Sequence, residues 1–145
     1  MAWAYFDTSA LIKRYVDEHG RREVLQVLRS HDCVTSALLS VEVRSALRRR
    51  VADSSLDAGR VPEILKRFAV DREFWALVEV TREVLETAEI LVAGHPLRTL
   101  DAIHVASAEL FAGRLMASKL TFVSADARQT AVAASVGMAT EDVGS

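Results

Sequence analysis

Four acidic residues, Asp7, Glu42, Asp101 and Asp126, are widely separated in the chain, yet each occupies a place from which its carboxylate can meet the others. Asp7 directly follows an apolar run at residues 2–6, and Asp126 follows another at residues 120–123 across Ser124 and Ala125. Both runs read as strands, so both acids fall just beyond a strand's carboxyl end, where a helix is about to begin. Asp101 lies in the first turn of a helical segment, two residues after Thr99, which reads as its cap. Glu42 reads as mid-helix, and at ~100° per residue it projects into the apolar stripe of Leu38, Leu39, Val43 and Ala46, away from Arg44 and Arg48.

Taken singly, each acid has a plainer explanation. A carboxylate in a first helical turn interacts favourably with the helix dipole, by ~0.3–1 kcal/mol, which accounts for Asp101 and Asp126. Asp7 fits a turn or cap. An ionised Glu42 in an apolar stripe needs a partner, and two are open: a buried salt bridge to Arg49 two turns on, or a bound cation. Several carboxylates held together repel one another, and cations or protons relieve that repulsion. Oxygen ligands select hard ions such as Mg²⁺ or Mn²⁺, and the chain has no dense His/Cys cluster that would favour zinc. Such a site suits phosphodiester hydrolysis by metal-activated water, with no side-chain nucleophile required. The lone Cys33 is read as a small buried residue. His104, beside Leu100 and Phe111 on an apolar helix side, is read as a packed, hydrogen-bonded histidine rather than a base.

The elements that must position these acids alternate. Strands are expected at residues 2–6, 33–35, 74–80 and 120–123, with an edge strand at 137–139. Helices are expected at 9–16 and 21–30, from a cap at Thr35 or Ser36 to residue 51, then at 56–70, 82–93, 100–111 and 126–135. Strands that alternate with helices imply an α/β fold with a mostly parallel sheet of four or five strands, covered on both faces. There is no internal repeat or linker, so residues 1–145 are expected to form one domain.

Half the residues are hydrophobic and 26% are charged, an ordinary globular balance. The apolar start is short, carries Asp7 and lacks basic residues, so neither a secretory signal nor a membrane span is expected, and the cytoplasm is the expected location. A formal net charge of −2 argues against a strongly basic surface. Its distribution is uneven: residues 1–72 carry 13 Lys/Arg against 10 Asp/Glu, and residues 73–145 carry 5 against 10. The run Arg48-Arg49-Arg50, with Arg44 one turn before, suits either phosphate contacts or a solvated helix end.

Four segments together carry a family resemblance: Tyr5-Phe6-Asp7-Thr8-Ser9-Ala10-Leu11, Ser40-Val41-Glu42-Val43-Arg44-Ser45-Ala46-Leu47, Arg98-Thr99-Leu100-Asp101-Ala102-Ile103-His104-Val105-Ala106 and Thr121-Phe122-Val123-Ser124-Ala125-Asp126-Ala127-Arg128. In this order and at these separations, over nearly the whole chain, the sequence resembles the PIN-domain ribonucleases, specifically the VapC toxins of toxin–antitoxin pairs. The resemblance implies a three-layer α/β/α PIN-like fold, dependence on Mg²⁺ or Mn²⁺, endonucleolytic cleavage of RNA, and inhibition by a small cognate, VapB-like antitoxin. It further implies that Asp7, Asp101 and Asp126 bind metal directly and that Glu42 does so directly or through water. Thr8, Ser9 and Ser124 match the family's polar positions beside the acids, with helix capping as their plainer role. Ala125 departs from the larger or polar residue common there, which leaves the role of Asp126 less defined. A homodimer is expected.

Two rival functions use similar parts. A phosphoacceptor receiver domain needs two adjacent acids after the first strand and a lysine after the last, whereas Asp7 stands alone and Lys119 precedes its strand. A catalytically silent binding module of the same fold is marked by loss of an acid, and none of the four is lost.

Overall fold

The computed structural model describes residues 1–115 and 119–144. Its strands are β1 (Trp3–Phe6), β2 (Asp32–Ser36), β3 (Ala76–Val78), β4 (Leu120–Ser124) and β5 (Ala139–Asp142). Its α-helices are α1 (Thr8–Leu11), α2 (Arg21–Ser30), α3 (Leu39–Ala52), α4 (Val61–Asp71), α5 (Arg82–Gly94), α6 (Thr99–Gly113) and α7 (Ala127–Ser135). The strands form one sheet in the order β3-β2-β1-β4-β5, and every neighbouring pair is parallel. Parallel strands need both faces covered, because the crossover helices lie on those faces.

Side-chain alternation divides the core in two. Ala4, Phe6, Cys33 and Val123 face a cluster completed by Leu11 and Ile12, Val24 of α2, Leu39, Val43 and Leu47 of α3, and Ile64 and Phe68 of α4. Tyr5, Val34, Leu120 and Phe122 face the opposite cluster, built on Val84, Ala88 and Leu91 of α5, the apolar side of α6, and Val132 and Ala133 of α7. The result is a three-layer α/β/α sandwich with β1 at the centre of the sheet. Among the described residues, no helix is long and apolar enough to cross a membrane.

Several boundaries depart from expectation for identifiable reasons. The strand expected at residues 74–80 shrinks to Ala76–Val78, because residues 72–74 continue the end of α4 as a 3-10 turn with Phe74 exposed. The edge strand expected at 137–139 begins instead at Ala139. Gly137, at φ 96°, is used to end α7: its amide bonds Ala134 and that of Met138 bonds Ala133, a paired closure that requires a left-handed residue. Thr35 and Ser36 belong to β2 and do not cap α3, which starts at Leu39; this puts Glu42 in the helix's first turn rather than its middle. Thr99 is likewise the first residue of α6, and the extended Arg98 holds the cap position without a side-chain cap bond. Thr81 does cap α5, accepting from the Val84 amide.

Phe122 lies fully buried in the sheet and stacks on Tyr5 with ring centroids 5.5 Å apart. Phe122→Ala is expected to lower the free energy of unfolding by about 3–5 kcal/mol in a urea titration. Phe74→Ala, at an exposed ring, should change it by no more than about 0.5 kcal/mol.

Candidate functional site

The chain leaves β1 toward β2 and β3 on one side and returns to β4 and β5 on the other. Crossovers that diverge in this way open a crevice beyond the carboxyl ends of the two central strands. The end of β1 is held there by the Asp7 amide donating to the Val123 carbonyl at 2.9 Å and by the Thr35 hydroxyl donating to the Phe6 carbonyl at 2.7 Å.

Asp7 is buried, and its carboxylate caps α1 by accepting from the Ser9 amide at 3.1 Å and from the Ser9 hydroxyl. Its other oxygen, Oδ1, accepts from Gln129 Nε2 at 3.2 Å and lies 3.5 Å from His104 Nε2. Glu42 reaches the same place from α3. Its Oε1 accepts from His104 Nε2 at 2.6 Å and from the Thr8 hydroxyl at 2.9 Å. Asp101 arrives from the first turn of α6 and accepts from Arg98 Nε at 3.2 Å. These three acids share a cleft of about 860 Å³ whose lining also includes Thr8, Ser9, Ser45, Arg49, Arg50 and Arg98.

Asp126 caps α7 through the Arg128 amide at 2.9 Å and is not among the described residues lining the cleft. Its charge nevertheless acts on Asp101. Burial first, then the negative charges of Asp7 and Asp126, hold the Asp101 carboxyl above its ordinary value, and Arg98 only partly opposes them. Among the described residues, no three His, Cys, Asp or Glu side chains already converge tightly enough to enclose an ion. The donors nonetheless suit a hard cation: they are carboxylate oxygens, their charges repel, and Glu42 Oε2 has no hydrogen bond among the described residues.

The three hydroxyls predicted to flank the acids are all beside them. Thr8 bonds Glu42, and Ser9 bonds Asp7 while accepting from the Ala125 amide at 3.1 Å. Ser124, fully buried, donates to Gln129 Oε1 at 2.6 Å and accepts from the Asp126 amide at 3.0 Å. The salt bridge considered between Glu42 and Arg49 does not form. Arg49, exposed on the lining of the cleft, donates instead to Ser45 at 2.8 Å, and the Glu42 carboxylate is turned toward α6 and His104.

His104 is buried and hydrogen-bonded as expected, but it sits within the acid cluster rather than in an apolar pocket. Burial depresses its pKa, and Asp7, Glu42 and Asp101 together outweigh burial and raise it. Its Nδ1 lies 2.9 Å from the hydroxyl of Tyr5. Burial, with Asp7 and Glu42 adding to it, pushes the Tyr5 hydroxyl well above its ordinary value, so it stays protonated. Gln129 also escaped notice in the sequence. It is fully buried and joins three elements, donating to Asp7 and to the Asp101 carbonyl at 3.2 Å each while accepting from Ser124. Its signal was available: a glutamine three and four residues before Val132 and Ala133 lies on the buried face of α7, where an amide needs partners. Cys33 is buried, and burial pushes its thiol far above the range of a nucleophile.

With this geometry in view, the relatives are informative. Residues 4–135 match the PIN domain family. The chain is 32% identical over 112 residues to Ribonuclease VapC45 of Mycobacterium tuberculosis strain CDC 1551, covering 74% of this chain and 76% of that protein. It is 37% identical over 110 residues to Ribonuclease VapC46 of strain H37Rv, covering 75% and 76%. In fold it is similar to a toxin–antitoxin complex from Klebsiella pneumoniae, with a TM-score of 0.65 and 19% identity over 88% of this chain and 90% of that one. Its parallel five-stranded sheet, its acids at the crevice and these similarities agree: the chain belongs to the PIN-domain family, with VapC ribonucleases among its relatives.

Proposed function

We propose that residues 1–145 act as a single nuclease domain, the toxin of a type II toxin–antitoxin pair, and that it cleaves RNA endonucleolytically with Mg²⁺ or Mn²⁺. The observation that carries this reading is the meeting of Asp7, Glu42 and Asp101 in one arginine-rimmed cleft, with Asp101 held protonated to higher pH by burial and by its acidic neighbours. Similarity to VapC ribonucleases supports the same chemistry.

In this reading Asp7 and Asp101 hold the cation, Asp126 completes the negative site from the cap of α7, and Glu42 contributes directly or through water. When bound, the divalent ion supplies Lewis-acid stabilisation of the scissile phosphate and a lowered water pKa. Ser9 and Gln129 fix the Asp7 carboxylate, Thr8 fixes Glu42, and Ser124 keeps Gln129 in place. Arg49 and Arg98 sit on the lining of the cleft and, among the described residues, have side-chain partners only in Ser45 and Asp101, so both can turn toward phosphates. Arg50 also lines the cleft, but Glu18 holds it at 2.9 Å. The partners in this reading are an RNA substrate, a small VapB-like antitoxin and a second copy of the chain, all in the cytoplasm. Exposed Val41, Val70 and Phe74, interspersed with arginines, offer the mixed surface such partners use.

Cleavage of RNA is expected to require Mg²⁺ or Mn²⁺ and to stop on addition of EDTA; turnover that survives thorough chelation rejects the mechanism.

Asp101 supplies a second test, in which function separates from stability. Its raised pKa means that the metal-free fold prefers the protonated form, so this residue's contribution is fully present below its unfolded pKa and is lost as pH rises through its folded value. Asp101→Asn should therefore abolish cleavage yet leave the metal-free protein equally or more stable at neutral pH, with its advantage over wild type shrinking in acid. At a Mn²⁺ concentration near 100 times the dissociation constant, wild type should gain ~2.7 kcal/mol and the variant much less. Thermal melts with EDTA and with Mn²⁺, across pH, measure both; an equal metal response in the two proteins removes Asp101 from the site.

For the partners, light scattering should give a dimer at micromolar concentration and the native operon should yield a co-purifying small protein. A strict monomer without one contradicts that part of the reading.

A further inference from the structure

The cleft's three acids among the described residues come from the end of β1, from α3 and from α6, and one buried chain of polar groups runs between these same elements. Tyr5 stands two residues before Asp7, on the strand side that faces α6, and is pinned by stacking on Phe122. His104 stands three residues after Asp101, one helical turn on, with its ring edge-on to Tyr5 at a centroid distance of 5.9 Å. The Tyr5 hydroxyl meets Nδ1 at 2.9 Å, and Nε2 meets Glu42 Oε1 at 2.6 Å. A carboxylate only accepts, so the proton of the second bond belongs to Nε2. Thr8 closes on the same oxygen at 2.9 Å. Both bonds therefore fall on Oε1, while Oε2 is without a hydrogen bond among the described residues and Glu42 lines the cleft.

We propose that Tyr5 and His104 are positioning residues: Tyr5 sets the ring of His104, and His104 holds Glu42 Oε1 so that Oε2 is presented to the cleft. The inference rests on the metal-nuclease reading above and adds residues to which that reading gave no role. Without His104, the Glu42 side chain keeps only the Thr8 hydroxyl and regains rotamer freedom that the cleft must then remove. Tyr5 is needed because a buried imidazole with one unanswered nitrogen is free to turn or change tautomer. Hydrogen-bond partners of metal-site carboxylates are commonly worth 10–100-fold in metal affinity or activity.

The test uses the full chain as wild type, Tyr5→Phe, His104→Gln and His104→Leu. Each is titrated with MnCl₂ in the absence of RNA by electron paramagnetic resonance, and kcat and KM are then measured on RNA with Mn²⁺. His104→Leu is expected to weaken Mn²⁺ binding and to lower kcat, each by roughly 10–100-fold, with KM for RNA changed by no more than about twofold. His104→Gln, whose amide can still donate to Glu42 and accept from Tyr5, should recover most of both. Tyr5→Phe preserves the ring packing and should fall between wild type and His104→Leu. Wild-type behaviour of Tyr5→Phe overturns the proposal, as does a His104→Gln as defective as His104→Leu, since ring packing would then be what matters. If His104→Leu lacks a cooperative melt, Tyr5→Phe and His104→Gln decide the matter by the same criteria. A wild type that binds no Mn²⁺, or cleaves equally well in EDTA, defeats the metal reading and this inference with it; a metal-dependent wild type with indifferent variants defeats the relay alone.

Discussion

Like charges gathered at the edge of a core are the constraint around which this structure is arranged. Asp7 and Asp101 face the same half-buried cleft, and Asp126 lies near enough to add to their mutual repulsion. Water cannot screen such a group as it would on an open surface, so the fold surrounds it with donors. Ser9 and Gln129 donate to Asp7, and Thr8 and His104 donate to Glu42. None of these is a lysine, and the one direct arginine contact among the described residues, Arg98 to Asp101, is made by a side chain that is itself mostly in solvent. An exposed pair of that kind holds little free energy and is easily exchanged. The acids are thus oriented by neutral donors and His104, with no lysine or buried arginine bonded to them among the described residues, an arrangement that suits the divalent ion of the proposed function.

The scaffold that gathers them depends on parallel strands at a point of divergence. Because β1 is central and its neighbours β2 and β4 are reached by crossovers in opposite directions, the ends of β1 and β4 and the starts of α1 and α7 meet at one crevice. α3 and α6 approach from the two opposite layers, so Glu42 and His104 can bond across the sheet's edge. The helices on the α3 side are tied down farther out. Asp71 of α4 accepts from Arg14 at 2.8 Å and from Tyr15 at 2.7 Å, and Glu18 binds both Arg50 and Lys13. Burial alone raises the Asp71 carboxyl, but those hydrogen bonds outweigh it and hold the group below its usual range. Through Arg50 the Glu18 group reaches the wall of the cleft itself.

The charge pattern of the cleft has a functional logic of its own. Its floor is acidic and its wall carries arginines from α3 and from the residue before α6, while the chain as a whole is slightly negative. In the proposed function a polyanion is therefore attracted locally rather than by the whole surface, and its phosphates would approach the acids only where a cation is bound or guanidinium groups lie close.

Much of this was legible in the sequence because it depends on local periodicity. Strands that end at an acid, helices that begin after one, and the alternation of the two are all written in runs of a few residues, and they led to the α/β class, to a sheet covered on both faces and to four candidate acids, of which Asp7, Glu42 and Asp101 line the cleft. The resemblance across four segments added the three-layer PIN-like fold. Errors arose where one residue had two local uses: Gly137 served to end a helix before a strand could begin, and Thr35 and Ser36 extended a strand rather than capping a helix. What only the tertiary structure decided is which buried polar groups are paired with which. Glu42 had a plausible partner seven residues away in Arg49, but its partner is His104, 62 residues on, because the turn of α3 against α6 directs the carboxylate across the layers. Tyr5 carries no pattern that distinguishes it from an ordinary core residue until His104 is brought within hydrogen-bond distance, and Gln129, legible as an amide on a buried helix face, has no identified partner until Asp7 is brought to it. Hydrophobic periodicity specifies which side of an element is buried. The identity of a hydrogen-bond partner depends on distances of a few tenths of an ångström between elements remote in the chain, and those exist only once the layers have packed.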